Sequence, residues 1–247
     1  MKKKIVALSL VVCLLAIAIV GGTLAYFTDT DEVTNTFTAG QVGIFLDEAV
    51  VKLDDNPNSA TFGDLVAVGS GQRTQTGDIQ NYHLFPAMTV TKDPTITVDA
   101  GSEDAFIGAK ITITGDIYDL IGVENAPNID ITKLASGGLI AETATQVNGW
   151  NGLPMVYETN TCVIYQDASQ AANNTWVLYI FIKAPMAEKE KVALFTTLYI
   201  PENWDNAEMA LINGMNIYVE AFATQTNGFV DVYTALTTAF PTAFDFN

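Results

Sequence analysis

Basic side chains are scarce in this sequence. Lys and Arg number 11 against 28 Asp and Glu in 247 residues. Such an acidic chain repels nucleic-acid phosphates and anionic lipid headgroups, so the charge excludes nucleic acid and anionic membrane surfaces as partners. Charged residues of both signs make up only 16%, however, and hydrophobic ones 49%. This is the composition of a folded, apolar-rich domain and not of an acidic disordered tail.

Cysteine is nearly absent. Cys13 lies in an N-terminal apolar run, and Val12 before it is not the small residue a lipoprotein site needs. Once that run is removed, Cys162 has no cysteine to bridge to, and its neighbours Val163-Ile164-Tyr165 read as a buried strand around a structural thiol. Histidine is as scarce. His83 alone excludes a His-Glu-x-x-His zinc site, and a serine triad would have to use it without any Gly-x-Ser-x-Gly elbow. His83 reads instead as a loop or strand-edge residue. No Gly-x-Gly-x-x-Gly or phosphate loop follows a strand, so no cofactor, metal or catalytic residue is expected. Asp29, Asp31 and Glu32 are three carboxylates in four residues, but they lack the spacing of a calcium loop and read as a solvated acidic turn.

What the sequence does contain begins at its N-terminus. Lys2, Lys3 and Lys4 form a basic region, and residues 5–20 an apolar run of 16, short of the roughly 20 that span a bilayer. Extension through Leu24 reaches spanning length, but Thr23-Leu24-Ala25 offers small residues at the −3 and −1 positions of a signal-peptidase site. Cleavage after Ala25 leaves 222 residues, 8 basic against 28 acidic side chains, and a balance of −20. The new N-terminus starts Tyr26-Phe27, aromatic and β-prone.

The stretch GGTLAYFTDTDEVTNTFTAG resembles the processing region of the TasA and camelysin family, whose signal peptides are cut by the SipW type of signal peptidase. Members share Gly-Gly-Thr-x-Ala-Tyr/Phe-Phe-x-Asp followed by Thr-Phe-x-Ala-Gly. Gly21, Gly22, Thr23, Ala25, Phe27, Asp29, Thr36, Phe37, Ala39 and Gly40 match it here. Further echoes are Lys92-Asp93-Pro94-Thr95, Leu194-Phe195-Thr196-Thr197 and Ala221-Phe222-Ala223-Thr224-Gln225.

Downstream the apolar period is two. Val42, Ile44 and Leu46 mark a half-buried strand, and 54–58 a turn. Residues 61–69 are a short β-prone piece, and Gly69 to Gly77 an exposed, Gly-rich loop. In 89–98, Val90, Ile96 and Val98 share one parity, with Pro94 breaking the strand. Ile107, Ala109, Ile111 and Ile113 alternate strictly with polar or small residues. Residues 115–152 read as an insertion with a weak helical hint at 128–135. Residues 155–166 return to β, and 175–183 (TWVLYIFIK) is apolar on both faces, as a central strand would be. Residues 192–200 form a strand closed by Pro201. A short helix capped by Asp205 runs through Leu211, a strand covers 215–225, and a helix covers 231–240. Trp150, Trp176 and Trp204 are candidates for a carbohydrate platform, with Trp176 placed in the core.

Seven to nine strands without βαβ alternation predict an all-β, antiparallel sandwich over residues 26–247. The resemblance implies a jelly-roll-like version. It also implies a secreted subunit of a cell-surface or biofilm-matrix fibre, built from copies of itself by donor-strand complementation, with other matrix proteins as further partners. Residues 26–38 are the candidate donor, with Tyr26, Phe27, Val33 and Phe37 as anchors; folding back as the first strand of its own domain is the alternative. A monomeric adhesin or glycan-binding module, and a camelysin-like metalloprotease, are the other functions in view.

Overall fold

A computed structural model describes residues 40–69, 71–74, 80–115, 135–141, 144–167, 169 and 173–246. The chain divides into two units, 1–39 and 40–247, and the second holds all the described structure. Its first strands are β1 (Ile44–Asp47), β2 (Val51–Leu53), β3 (Leu65–Ala67), β4 (Thr89–Thr91), β5 (Thr95–Val98) and β6 (Ala105–Thr114). There follow β7 (Ala135–Ser136), β8 (Thr145–Val147), β9 (Val156–Glu158), β10 (Cys162–Asp167) and β11 (Thr175–Ile182). The last are β12 (Lys191–Ala193), β13 (Thr197–Tyr199) and β14 (Asn216–Gln225).

Six of these build the larger sheet, in the antiparallel order β14-β6-β11-β10-β9-β8. The alternation in β6 works as its sequence requires: Ile107, Ala109, Ile111 and Ile113 point to one face and are fully buried. At about 1.5–3 kcal/mol for each large apolar side chain withdrawn from water, this row is a principal source of stability. The neighbouring β11 pairs with β6 on one side and β10 on the other, in the central position its two apolar faces predict.

The second layer is bent. Sheets β1-β5-β12 and β2-β3-β4-β13-β7 are two halves separated by a crease. Three chain segments cross it, at 48–50 between β1 and β2, at 92–94 between β4 and β5, and at 194–196 between β12 and β13. Pro94 removes a ladder donor at the crease, and the strand facing it breaks too. Residues 192–200 are therefore two strands and not the single one their alternation predicts. The Lys92 N–H donating to the Thr196 carbonyl at 3.1 Å and the Leu194 N–H to the Pro94 carbonyl at 2.9 Å carry the pairing across. All pairings among the described strands are antiparallel except β3 with β4. Because such breaks divide long strands, 14 strands appear among the described residues where seven to nine were expected.

Between the layers lies the main core. Val90, Ile96, Val98, Leu194, Leu198 and Ile200 of the bent layer pack against the inner row of β6 and against Trp176, Leu178 and Ile180 of β11. The architecture is thus an all-β sandwich. Its outer sheet face is covered as well. A helix at Val232–Ala239 is capped by Asp231, whose side chain accepts from the Thr234 N–H at 2.7 Å, and it lays Val232, Ala235 and Leu236 on that face. Gly108 of β6 is where the helix comes closest, since a Cβ there would lie 2.4 Å from Leu236 Cδ1. The tail then adds Phe244 and Phe246 over Tyr179 and Phe181. This cover is the physical reason that β11 is apolar on both faces.

The other helix, Asn206–Leu211, carries a reciprocal capping box between Asp205 and Glu208. The expected insertion is more than an excursion. Its described part supplies β7 to the bent layer and β8 to the edge of the larger sheet. Ala135 lies in β7; the rest of the 128–135 helical hint lies outside the described residues.

Candidate functional site

A crease in a sheet leaves backbone N–H and C=O groups without ladder partners, and each must be satisfied elsewhere. Here side chains do it. Arg73 donates from Nε to Asp47 Oδ1 at 2.7 Å and from Nη1 to Asp93 Oδ2 at 2.8 Å. Its Nη2 donates to the carbonyls of Asp47 at 3.2 Å and Asp93 at 3.1 Å. Asp93 Oδ1 accepts the Ala49 N–H at 2.6 Å. Gln80 donates to the Ala49 carbonyl at 3.1 Å and to Glu48 Oε1 at 2.9 Å, while its own oxygen accepts from the Val51 N–H at 3.3 Å. Glu48 also forms an ion pair with Lys92, whose ammonium lies 5.5 Å from the centre of the Tyr82 ring.

Residues 72–74 reach this position because they run along 48–50: the Val50 N–H donates to the Gln72 carbonyl at 3.0 Å and the Thr74 N–H to that of Glu48 at 2.8 Å. The described residues 71–74 are therefore not part of the simple exposed loop that the Gly-rich composition of 69–77 predicts. Burial opposes the Arg73 charge, but the hydrogen bonds it donates to Asp93 and Asp47 outweigh that and hold the guanidinium above the ordinary arginine pKa. Burial first, and the Glu48 charge second, push the Tyr82 hydroxyl well above the usual tyrosine range.

Chemically this is a clamp. The guanidinium fork engages two carboxylates and two carbonyls through four hydrogen bonds, and the carboxylates are committed to protein donors. Replacing Arg73 with alanine leaves Asp47 and Asp93 as half-buried, unneutralised carboxylates and frees two carbonyls. Partial exposure of the pairs reduces the penalty below that of a fully buried bridge, and the expected loss is about 2–3 kcal/mol. Urea unfolding should show a lower midpoint at unchanged slope. A loss below about 0.5 kcal/mol would mean that the crease is held by its core contacts alone.

Sequence reading noted Lys92-Asp93-Pro94 without a role for it and missed Arg73 altogether. The available signal was that Arg73 is the sole arginine in a chain with 28 acidic side chains. Of the residues singled out from sequence, Thr23, Ala25, Tyr26, Phe27, Val33 and Phe37 lie outside the described residues. His83 is exposed in a loop. Cys162 is buried in β10, its N–H donating to Thr159 Oγ1 at 2.9 Å, in keeping with a structural thiol. Trp176 is core, as expected. Trp150 packs between Phe181 and Tyr233, at 5.2 and 5.3 Å between ring centres, and Trp204 packs on the main core. The three do not form a common platform.

The described residues thus define a β-sandwich domain whose most elaborate polar constellation is turned inward, onto its own backbone. Residues 1–95 match the family model described as camelysin metallo-endopeptidase, in line with the resemblance carried by the junction sequence. The match takes in the N-terminal apolar run, the stretch from Thr23 to Gly40, and the clamp residues Asp47, Glu48, Arg73, Lys92 and Asp93. No curated protein matches the chain. No solved structure matches it. The family description implies a metal ion. Among the described residues no three His, Cys, Asp or Glu side chains converge in a way that could hold one, so these residues do not fit a peptidase zinc site.

Proposed function

We propose that the chain is a secreted structural subunit of a cell-surface or matrix fibre, which joins its neighbours by donating residues 26–38 after the signal peptide is cut behind Ala25. One observation carries the reading: residues 40–247 form a compact unit distinct from 1–39, with their own first strand at β1. On this reading residues 26–38, which precede that unit, act on another copy and not within their own domain. A β-prone segment of Thr, Phe, Tyr and Val recovers its main-chain hydrogen bonds by adding to a sheet edge of another copy. Such a contact is head-to-tail and does not close on itself, so it propagates into a filament. The uncut signal peptide would keep the donor at the membrane, which makes cleavage the trigger for assembly.

Replacing Ala25 with phenylalanine removes the small −1 residue. Gold-labelled antibody against this chain should decorate extracellular fibres on cells that make the unaltered protein. On Ala25→Phe cells it should remain at the envelope, with no fibres. Envelope label alone in both would contradict the proposal. The family description supports a second reading, a peptidase; casein cleavage abolished by a chelator and restored by zinc would establish it.

A further inference from the structure

Beside the Arg73 fork, the crease brings a lysine, a glutamate and a glutamine into one hydrogen-bonded set. Lys92 follows β4 directly, and its side chain is only 8% exposed. Its ammonium pairs with Glu48 Oε2. The other oxygen of that carboxylate, Oε1, accepts from Gln80 Nε2 at 2.9 Å. One carboxylate therefore touches a primary amine and a carboxamide nitrogen together. Gln80 Nε2 also donates to the Ala49 carbonyl at 3.1 Å, which fixes the orientation of the carboxamide. Its oxygen then accepts the Val51 N–H at 3.3 Å. Tyr82 closes the set, with its ring centre 5.5 Å from Lys92 Nζ and its hydroxyl 3.5 Å from Glu48 Oε1.

A salt bridge requires only Lys92 and Glu48. With Gln80 and its backbone donor added, the set holds the parts of an acyl transfer. Lys92 is the nucleophile, and Glu48 is a general acid–base within reach of both that nucleophile and the leaving nitrogen. The Val51 N–H is aimed at the oxygen on which negative charge develops. The fold holds all three side chains on one site, so no encounter of separate reactants is needed. Burial of Lys92 also limits the water that would compete for the carboxamide.

We infer that Lys92 and Gln80 join in an isopeptide bond that the folded protein forms by itself, with Glu48 as the proton relay. Lys92 Nζ adds to Gln80 Cδ, and the Cδ–Nε2 bond breaks. Two protons pass from the lysine ammonium through Glu48 to the leaving nitrogen, which departs as ammonium. Nothing is oxidised or reduced, and Glu48 ends as it began. The bond ties residue 80 to the end of β4 at the crease, where Arg73 already holds the chain to Asp93. A mature chain with Cys162 alone has no disulfide to serve this purpose, and an isopeptide bond needs no oxidant.

Mass spectrometry of the folded, processed protein tests it. The intact mass should fall one ammonia below that of the sequence from Tyr26. Trypsin does not cut after an acylated lysine, so residues 74–110 should survive as one peptide. Fragmentation of that peptide should yield no ions from breaks between 80 and 92, because the ring keeps both pieces joined. Lys92→Arg retains the ion pair, and Glu48→Gln retains both reacting groups. Each should show the full sequence mass and be cut after position 92. Unaltered protein of full mass, cut after Lys92, would overturn the proposal. An ammonia loss that persists in Lys92→Arg would also overturn it, since the loss would then come from an Asn-Gly site. Loss of water with Lys92 joined to Glu48 would overturn the choice of Gln80. A crosslink that persists in folded Glu48→Gln would overturn the relay. Should Glu48→Gln fail to fold, the charge-conserving Lys92→Arg decides the matter.

Discussion

Replacing Phe181 with alanine should cost about 3–5 kcal/mol, the range for removing a fully buried aromatic side chain from a packed core. Phe181 has no accessible surface. Its ring centre lies 5.2 Å from that of Trp150, 5.5 Å from Phe244 and 5.6 Å from Tyr233, so it joins β11, the segment before β9, the C-terminal helix and the tail. The lost term is transfer of the ring to water plus a cavity, and three rigid aromatic neighbours have little freedom to collapse into it. Against a total stability of about 5–15 kcal/mol this is a large fraction. It should appear in urea unfolding as a lower midpoint, with the near-ultraviolet circular dichroism of the aromatic cluster reduced before the transition. A cost below about 1 kcal/mol would show that the helix and tail are not a true third layer.

The main core was legible because it follows simple periods. Ile107 to Ile113 keep a strict alternation, one face of β6 is buried, and the two agree. Residues 175–182 announce a central strand by being apolar on both faces. What covers the second face was less visible. Phe240, Phe244 and Phe246 follow a proline-interrupted ending with no regular period, and only the sheet supplies the surface that brings them together. The helix caps were readable from Asp205 and Asp231, since a cap is a local event within four residues.

Nonlocal effects account for the rest. The break at 194–196 has no breaker in its own sequence; it is imposed by Pro94 on the facing strand. Arg73 lies 26 residues from Asp47 and 20 from Asp93, within a stretch whose glycines and polar residues describe a loop and nothing more. That Tyr179 is pushed up to about 12, by burial first and by Asp167 next, likewise depends on the tail lying over it. The edge position of β14 among the described strands was not legible either. Residues 215–225 read as a strand, but being an edge is a property of the neighbours, and only the sheet order shows it.

The largest functional effect should come from residues that precede the unit beginning at Gly40. The unit from Gly40 onward has its own first strand, two hydrophobic clusters and a closed polar clamp, so removal of 26–39 should leave its thermal midpoint within about 2 °C, which for a domain of this size is under 1 kcal/mol. Assembly should respond in the opposite way. Strand donation supplies a continuous ladder of main-chain hydrogen bonds in addition to side-chain burial, and without the donor neither term exists. The shortened chain still carries 8 basic against 25 acidic side chains, and that balance of −17 would then act unopposed to keep monomers apart.

The decisive comparison is electron microscopy with sedimentation on two purified chains, one beginning at Tyr26 and one at Gly40, at equal concentration and ionic strength. Filaments that sediment from the first, beside equally stable monomers from the second, are the predicted result. Monodisperse monomers from both, or filaments from both, would contradict it.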